Sequence, residues 1–279
     1  LNKYTWHLNF LGVEDEVEVY VNDKFIEKYL GAMIPFKVKI SNKYLQASRN
    51  TIKLVISATS NTVYLTRKMN VYQQKSSTGI LRSIELIGTS NAWISSVDYT
   101  NKYFPDLNSF QINTKIKISS AEAEKTDIKP QRNDTSSVNL GKNQYSVEAV
   151  IVDKQTNATF VQSNQLAFQY QAERTIKQNI DMRINSPTLW SPENPYLYEL
   201  VVRIKKNGVI IDEYTKSIAF NDLKINKEGN QYSFILNGSP FDIKGIEYYE
   251  NFNFANYEQM KKQMEQDIVL IKSLGANLI

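Results

Sequence analysis

The sequence predicts a mainly β fold: two successive antiparallel β-sandwiches, then a single strand–helix–strand unit of the kind that opens a parallel sheet. Three observations carry this reading. Apolar residues alternate with polar ones at period two along most of the chain, the pattern of strands with one buried face. Turn-forming residues separate these runs at short intervals, as in sandwiches. Near residue 256 the period changes to that of an amphipathic helix.

The elements follow in order. Val17, Val19 and Val21 share one face, with Glu16, Glu18 and Tyr20 on the other. Asn22-Asp23 interrupts that run before Phe25-Ile26 and reads as a hairpin turn, because Asn and Asp tolerate left-handed backbone angles. Ile52, Leu54 and Ile56 repeat the alternation, as do Ile84 and Leu86. Ile112, Thr114, Ile116 and Ile118 form a face against Gln111, Asn113, Lys115 and Lys117. Tyr145, Val147, Ala149 and Ile151 share another, as do Tyr198, Leu200, Val202 and Ile204. The polar, charge-mixed stretch from Ser119 to Ser137 reads as a solvated loop. No repeat of fixed period is visible, so a solenoid is not expected.

Strands are expected at Ser233–Leu236 and Phe241–Ile246, the first pair joined around Asn237-Gly238. A helix follows, with Met260, Met264, Ile268, Ile271 and Leu274 on one face. Asn256 with Gln259 has the form of a capping box, and Gly275 stands where a left-handed C-cap belongs. Ala276-Asn277-Leu278-Ile279 reads as the next strand. Strand, helix, strand implies parallel pairing, and a parallel sheet needs cover on both faces. Residues 224–279 are far too few for the ~250 of a (β/α)8 barrel, so the chain is expected to be truncated at its C-terminus.

Composition narrows the function. The 279 residues carry 33 Lys and Arg against 29 Asp and Glu, a net charge of only +4. That excess is scattered rather than striped, which argues against nucleic acid. The absence of cysteine removes disulfides, thiolate zinc sites and cysteine nucleophiles. His7 is the single histidine, which excludes a histidine triad or an imidazole metal cluster within the chain. No apolar run approaches the ~18–20 residues of a membrane span. Residues Leu1–Trp6 lack the charged start and long apolar core of a signal peptide, and the compartment is left open.

At this point an ordered set of segments resembles glycoside hydrolase family 2, which includes β-galactosidases, β-glucuronidases and β-mannosidases. Phe10-Leu11-Gly12-Val13 through Val19-Tyr20-Val21-Asn22-Asp23, then Pro35-Phe36, Asn50–Leu54 and Gly79–Leu86 are similar to the family's N-terminal jelly roll, without its opening strands. Leu189-Trp190-Ser191-Pro192-Glu193-Asn194-Pro195-Tyr196-Leu197-Tyr198 resembles the turn into the last strands of its immunoglobulin-like domain. Phe234–Pro240, Lys244-Gly245-Ile246, Asp267–Lys272 and Gly275–Ile279 look like the entry to its catalytic TIM barrel. The resemblance therefore implies a partial jelly-roll sugar-binding-like domain over 1–89, an immunoglobulin-like β-sandwich over 90–223 and the start of a TIM barrel over 224–279.

Two departures bear on substrate. Ala219-Phe220-Asn221 stands where the family often has Gly-Phe-Arg. Glu247-Tyr248-Tyr249-Glu250 stands where it often has an Asn-Arg-His-Glu-like run, with Tyr249 in place of a sugar-binding His. Retaining hydrolysis of a glycoside needs two carboxyl groups about 5–5.5 Å apart. In the family both are Glu residues on later barrel strands, so the resemblance places no catalytic residue in this chain. It implies instead that Glu247, Tyr248, Tyr249 and Glu250 line the substrate pocket, as their position after a barrel strand suits. Two acids three residues apart on one loop rarely straddle a substrate, and a solvated loop with packed Tyr rings is the competing reading.

Trp190 between prolines reads as a packing residue rather than a sugar platform, and His7 as lying on the polar side of an early strand. Asn133-Asp134-Thr135, Asn157-Ala158-Thr159 and Asn237-Gly238-Ser239 fit the glycosylation pattern but are expected by chance in an Asn-rich chain. The function implied is the N-terminal portion of a retaining exo-β-glycosidase, inactive by itself, acting on carbohydrate and assembling as a homo-oligomer. No cofactor or metal site is identifiable, while a divalent metal in the full-length enzyme is left open. A non-catalytic carbohydrate-binding or adhesive sandwich is the alternative, and a scaffolding fragment whose partner supplies the barrel is a third reading.

Overall fold

The computed structural model describes residues 4–32, 34–57, 79–121, 144–249 and 257–279. By contacts the chain divides into two units, Leu1–Thr89 with Lys244–Ile279, and Ser90–Ile243.

In the first unit, β1 (Thr5–Phe10), β2 (Val13–Val21), β3 (Lys24–Ala32), β4 (Phe36–Ile40), β5 (Ile52–Ser57), β6 (Gly79–Ile80) and β7 (Ile84–Thr89) form two antiparallel sheets. One runs β4-β1-β7 and the other β3-β2-β5, with β6 also on β2. Leu8, Phe10, Phe36, Val38 and Ile40 of the first sheet meet Val13, Val17, Val19 and Val21 of the second in a single core. The Tyr29 and Phe36 rings stack at 3.7 Å within it. The expected Asn22-Asp23 turn is present, with φ of 49° and 59°. The Asn22 side chain fixes it from outside, donating to Tyr44 O at 2.8 Å and accepting from Thr51 N at 2.9 Å.

Two residues read as inward are exposed, Ile52 at 43% and Leu86 at 57%. Among the described residues β5 pairs only with β2 and β7 only with β1, so these strands lie at sheet edges, where alternation no longer guarantees burial on one face. His7 does sit on the polar side of β1, but that side is buried too: Thr5, His7 and Asn9 are all at most 9% exposed. His7 Nε2 lies 3.3 Å from Thr89 Oγ1, and Asn9 donates to Glu85 at 2.8 Å.

Burial, aided by the charges of Lys37 and Lys39, lowers the His7 pKa from 6.5 to about 4. An unfolded chain takes up this proton near pH 6.5 and the folded chain resists it until about 4, so the His7 contribution is complete above pH 6.5 and is lost as pH falls through that window. Thermal melts of the intact protein at pH 7 and pH 4.5 are expected to show a smaller pH dependence for His7→Gln than for the parent sequence. An equal dependence would show that His7 does not carry it.

The second unit holds β8 (Ala92–Phe104), β9 (Ser109–Ser120), β10 (Tyr145–Asp153), β11 (Thr159–Gln162), β12 (Leu166–Phe168), β13 (Thr175–Asn185), β14 (Tyr198–Lys206) and β15 (Val209–Ile218). Sheet β13-β9-β8 packs on sheet β11-β10-β14-β15, with β12 also on β10. The three faces read from alternation supply this core: Ile112, Ile116 and Ile118 from one sheet, Tyr145, Val147, Ala149, Ile151, Tyr198, Leu200, Val202 and Ile204 from the other. Thr114, also on that face, is fully buried. Ser119 and Ser120 complete β9 rather than begin the solvated loop; most of that loop, with Asn133-Asp134-Thr135, lies outside the described residues.

A further antiparallel sheet of β16 (Leu223–Glu228), β17 (Gln231–Leu236) and β18 (Ser239–Phe241) belongs to the second unit by contacts. Asn237 and Gly238, at φ 51° and 83°, make the expected turn. The strand expected over Phe241–Ile246 is shorter, ending at Phe241, and only Gly245 pairs again, in a parallel bridge to Leu278.

The helix α1 (Tyr257–Ser273) lies between these two bridge residues in sequence; the pairing has the expected parallel sense, but the strand expected over Ala276–Ile279 is reduced to the single bridge at Leu278. It ends in a Schellman motif at Gly275, φ 85°: Gly275 N donates to Lys272 O and Ala276 N to Ile271 O. Asn256 lies outside the described residues. Of the expected apolar face, Met260 is buried, whereas Ile268 and Leu274 are 45% and 72% exposed. Among the described residues no helix is long and apolar enough to cross a membrane.

Candidate functional site

The segment after Gly245 is fixed by hydrogen bonds between the two segments that flank α1. Ile246 N donates to Leu278 O at 3.1 Å, and Asn277 N donates to Lys244 O at 3.0 Å. The Asn277 side chain also accepts from Lys244 N at 2.8 Å. These bonds anchor the backbone just before Glu247, so the next residues leave from a defined point.

The four residues proposed from sequence do not act alike. Tyr248 is half-buried and its hydroxyl donates to Asp267 of α1 at 2.7 Å. One helical turn earlier, Gln263 Nε2 donates to the same carboxyl at 2.8 Å. These two bonds, Gln263 first, hold the Asp267 carboxyl below the usual carboxylate range, because hydrogen bonds to the charged form favour it. Tyr249 is 46% exposed and donates its hydroxyl to the exposed Glu247 carboxylate. That bond raises the Tyr249 pKa above its ordinary value. Glu250 lies outside the described residues.

Glu247 and Tyr249 therefore share one side of the segment, while Tyr248 faces the helix. The first side offers a carboxylate acceptor, a hydroxyl and an aromatic face, a set suited to sugar hydroxyls and C–H faces. Asp267 and Gln263 were not singled out from sequence as site residues. The i, i+4 spacing of Gln263 and Asp267 on one helix face was the available signal, but it does not say which loop they meet. Tyr248→Phe in the full-length protein is expected to speed hydrogen exchange of the Ile246–Tyr249 amides relative to the parent sequence. Unchanged exchange there would show that Asp267 does not hold the loop.

Trp190 is half-buried, its backbone N–H donating to Phe220 O at 2.8 Å and its backbone carbonyl accepting from the Asn237 side chain at 2.9 Å. Its backbone joins a turn to a hairpin. Tyr196, in the same turn, donates to Asp153 at 2.6 Å, which pushes its pKa up to about 12. A separate cavity of about 380 Å³ is lined by Phe104, Leu107, Gln111, Asp181, Met182 and Arg183. Among the described residues no three His, Cys, Asp or Glu side chains gather as a metal site.

Comparison with known proteins gives these features a context. Residues 94–220 match the family model described as glycosyl hydrolases family 2. A putative beta-glucuronidase of Formosa agariphila is 26% identical over 278 residues, covering 100% of this chain and 30% of that protein. A beta-galactosidase of Staphylococcus xylosus is 22% identical, covering 99% of this chain and 23% of its own length. Among solved structures, a putative beta-galactosidase from Bacteroides fragilis superposes with a TM-score of 0.78 at 20% identity, over 99% of this chain and 38% of that one. Bacteroides uniformis beta-glucuronidase 2 gives 0.75 at 15% identity, over 99% and 31%. This chain thus spans about a third or less of the length of the two curated relatives. The match to the glycosyl hydrolase family 2 model is confined to residues 94–220, while the likeness to proteins named as β-glycosidases runs through the whole chain.

Proposed function

We propose that this chain is the N-terminal portion of a retaining exo-β-glycosidase whose two catalytic Glu residues lie outside residues 1–279. The observation that carries the reading is the order of elements. A segment that matches the family 2 model is followed by a helix whose two flanking segments meet in a single parallel bridge, an arrangement that supports a (β/α) unit. The exposed apolar residues of α1, Val269 and Leu270 at 69% and 60%, are accounted for by further barrel units packing on this one.

The proposed chemistry needs two carboxyl groups and water, with no organic cofactor. One carboxyl protonates the departing glycosidic oxygen while the other attacks the anomeric carbon. Water, deprotonated by the first group, then displaces the enzyme carboxylate and restores both. The sandwiches carry oligomer contacts, and Glu247 and Tyr249 contribute to the sugar pocket. The full-length gene product is expected to release 4-nitrophenol from at least one 4-nitrophenyl β-glycoside in a panel of hexosides and uronides. Absence of turnover across that panel would overturn the reading.

A second reading, a non-catalytic carbohydrate-binding protein, draws on the cavity beside β9 and β13, where Phe104 lies near the polar side chains of Gln111, Asp181 and Arg183. Glycan binding without any turnover by the full-length protein would favour it.

A further inference from the structure

The likeness to relatives named both beta-galactosidase and beta-glucuronidase leaves one chemical question open: whether the sugar carries a charge. The loop after Gly245 bears on it. Tyr248 bonds to α1 through Asp267, whereas Tyr249 bonds back to Glu247. The segment therefore alternates, with Tyr248 on the helix side and Glu247 and Tyr249 on the other. In a (β/α) unit the helix covers the outer side of the strand, and the opposite side at the strand's C-terminal end faces the mouth where substrate binds.

We propose that Glu247 is a specificity-determining residue that selects a neutral β-hexoside over a β-uronide, an inference that rests on the glycosidase reading above. A carboxylate at the mouth accepts hydrogen bonds from sugar hydroxyls, and the Tyr249 hydroxyl fixes its orientation. A C6 carboxylate brought to the same place meets like charge. The described residues of this segment, Gly245–Tyr249, include no Lys, Arg or His to offset it. Like charges a few ångströms apart in a partly dry site weigh on the order of tenfold or more in selectivity. Tyr248, Asp267 and Gln263 act indirectly, as positioning residues that keep Glu247 aimed.

The test compares kcat/KM of the full-length protein on 4-nitrophenyl β-D-galactoside, β-D-glucoside and β-D-mannoside with that on 4-nitrophenyl β-D-glucuronide, for the parent sequence and for Glu247→Gln. At least one neutral hexoside is expected to exceed the glucuronide by about tenfold or more. Glu247→Gln is expected to narrow that ratio by raising the glucuronide value. A parent enzyme that prefers the glucuronide, or a ratio that Glu247→Gln leaves unchanged, overturns this inference while the glycosidase reading stands. Failure to cleave any of the four overturns both.

Discussion

Phe110→Ala is expected to destabilise the unit containing residues 90–243 by about 3–5 kcal/mol, the range for truncating a fully buried aromatic side chain. Phe110 is 0% exposed. Its ring meets Tyr103 at 4.7 Å and Phe220 at 5.1 Å, and Phe220 in turn meets Tyr198 at 5.1 Å. Residues from β8, β9 and β14 and the segment after β15 thus close one end of the core around a single ring. Its removal leaves a void that rigid strands on both sides cannot collapse into, so the cavity cost adds to the lost burial. The urea midpoint of this unit, followed in the intact protein, checks the expectation. Phe110→Leu keeps most of the volume and is expected to cost clearly less.

Lys205→Met is expected to cost about 3 kcal/mol, because it strands a buried carboxylate. The Glu148 side chain is only 2% exposed and lies 2.8 Å from Lys205 Nζ. Its register partner across the sheet is Arg203, but Arg203 donates to Glu213 at 2.7 Å. Gln162 adds only a 3.3 Å bond. Lys205 is therefore the charge that balances Glu148, and a methionine there keeps the packing of the stem while removing the ammonium. Replacing both residues, as Glu148→Leu with Lys205→Met, is expected to recover most of the loss, since the desolvated charge is gone as well. The same urea midpoint reads all three proteins. A double variant no better than Lys205→Met would mean that the loss came from packing.

The central sandwich was legible from sequence because its inner strands have a partner on each side and one dry face, so period-two alternation and burial coincide at Ile112, Val147, Leu200 and their neighbours. Edge strands broke that coincidence at Ile52 and Leu86. The helix was legible from its period and from Gly275, but not the exposure of its apolar face, which depends on what packs against it. Strand length after Phe241 was overread, because Asp242-Ile243-Lys244 alternates as a strand does yet pairs only at Gly245. For the loop proposed as a substrate contact, the sequence reading missed the helix residues that hold it. The pairing of Tyr248 with Asp267 joins residues 19 positions apart in sequence, and neither the alternation of the loop nor the period of the helix specifies that contact.

The stereochemistry of the first product released by the full-length protein distinguishes a retaining glycosidase from an inverting one. Proton NMR of fresh reaction mixtures with a β-glycoside it cleaves is expected to show the β-anomer first, followed by slow mutarotation. That outcome follows from two successive displacements at the anomeric carbon. Initial appearance of the α-anomer, or no sugar released from any β-glycoside, would contradict it.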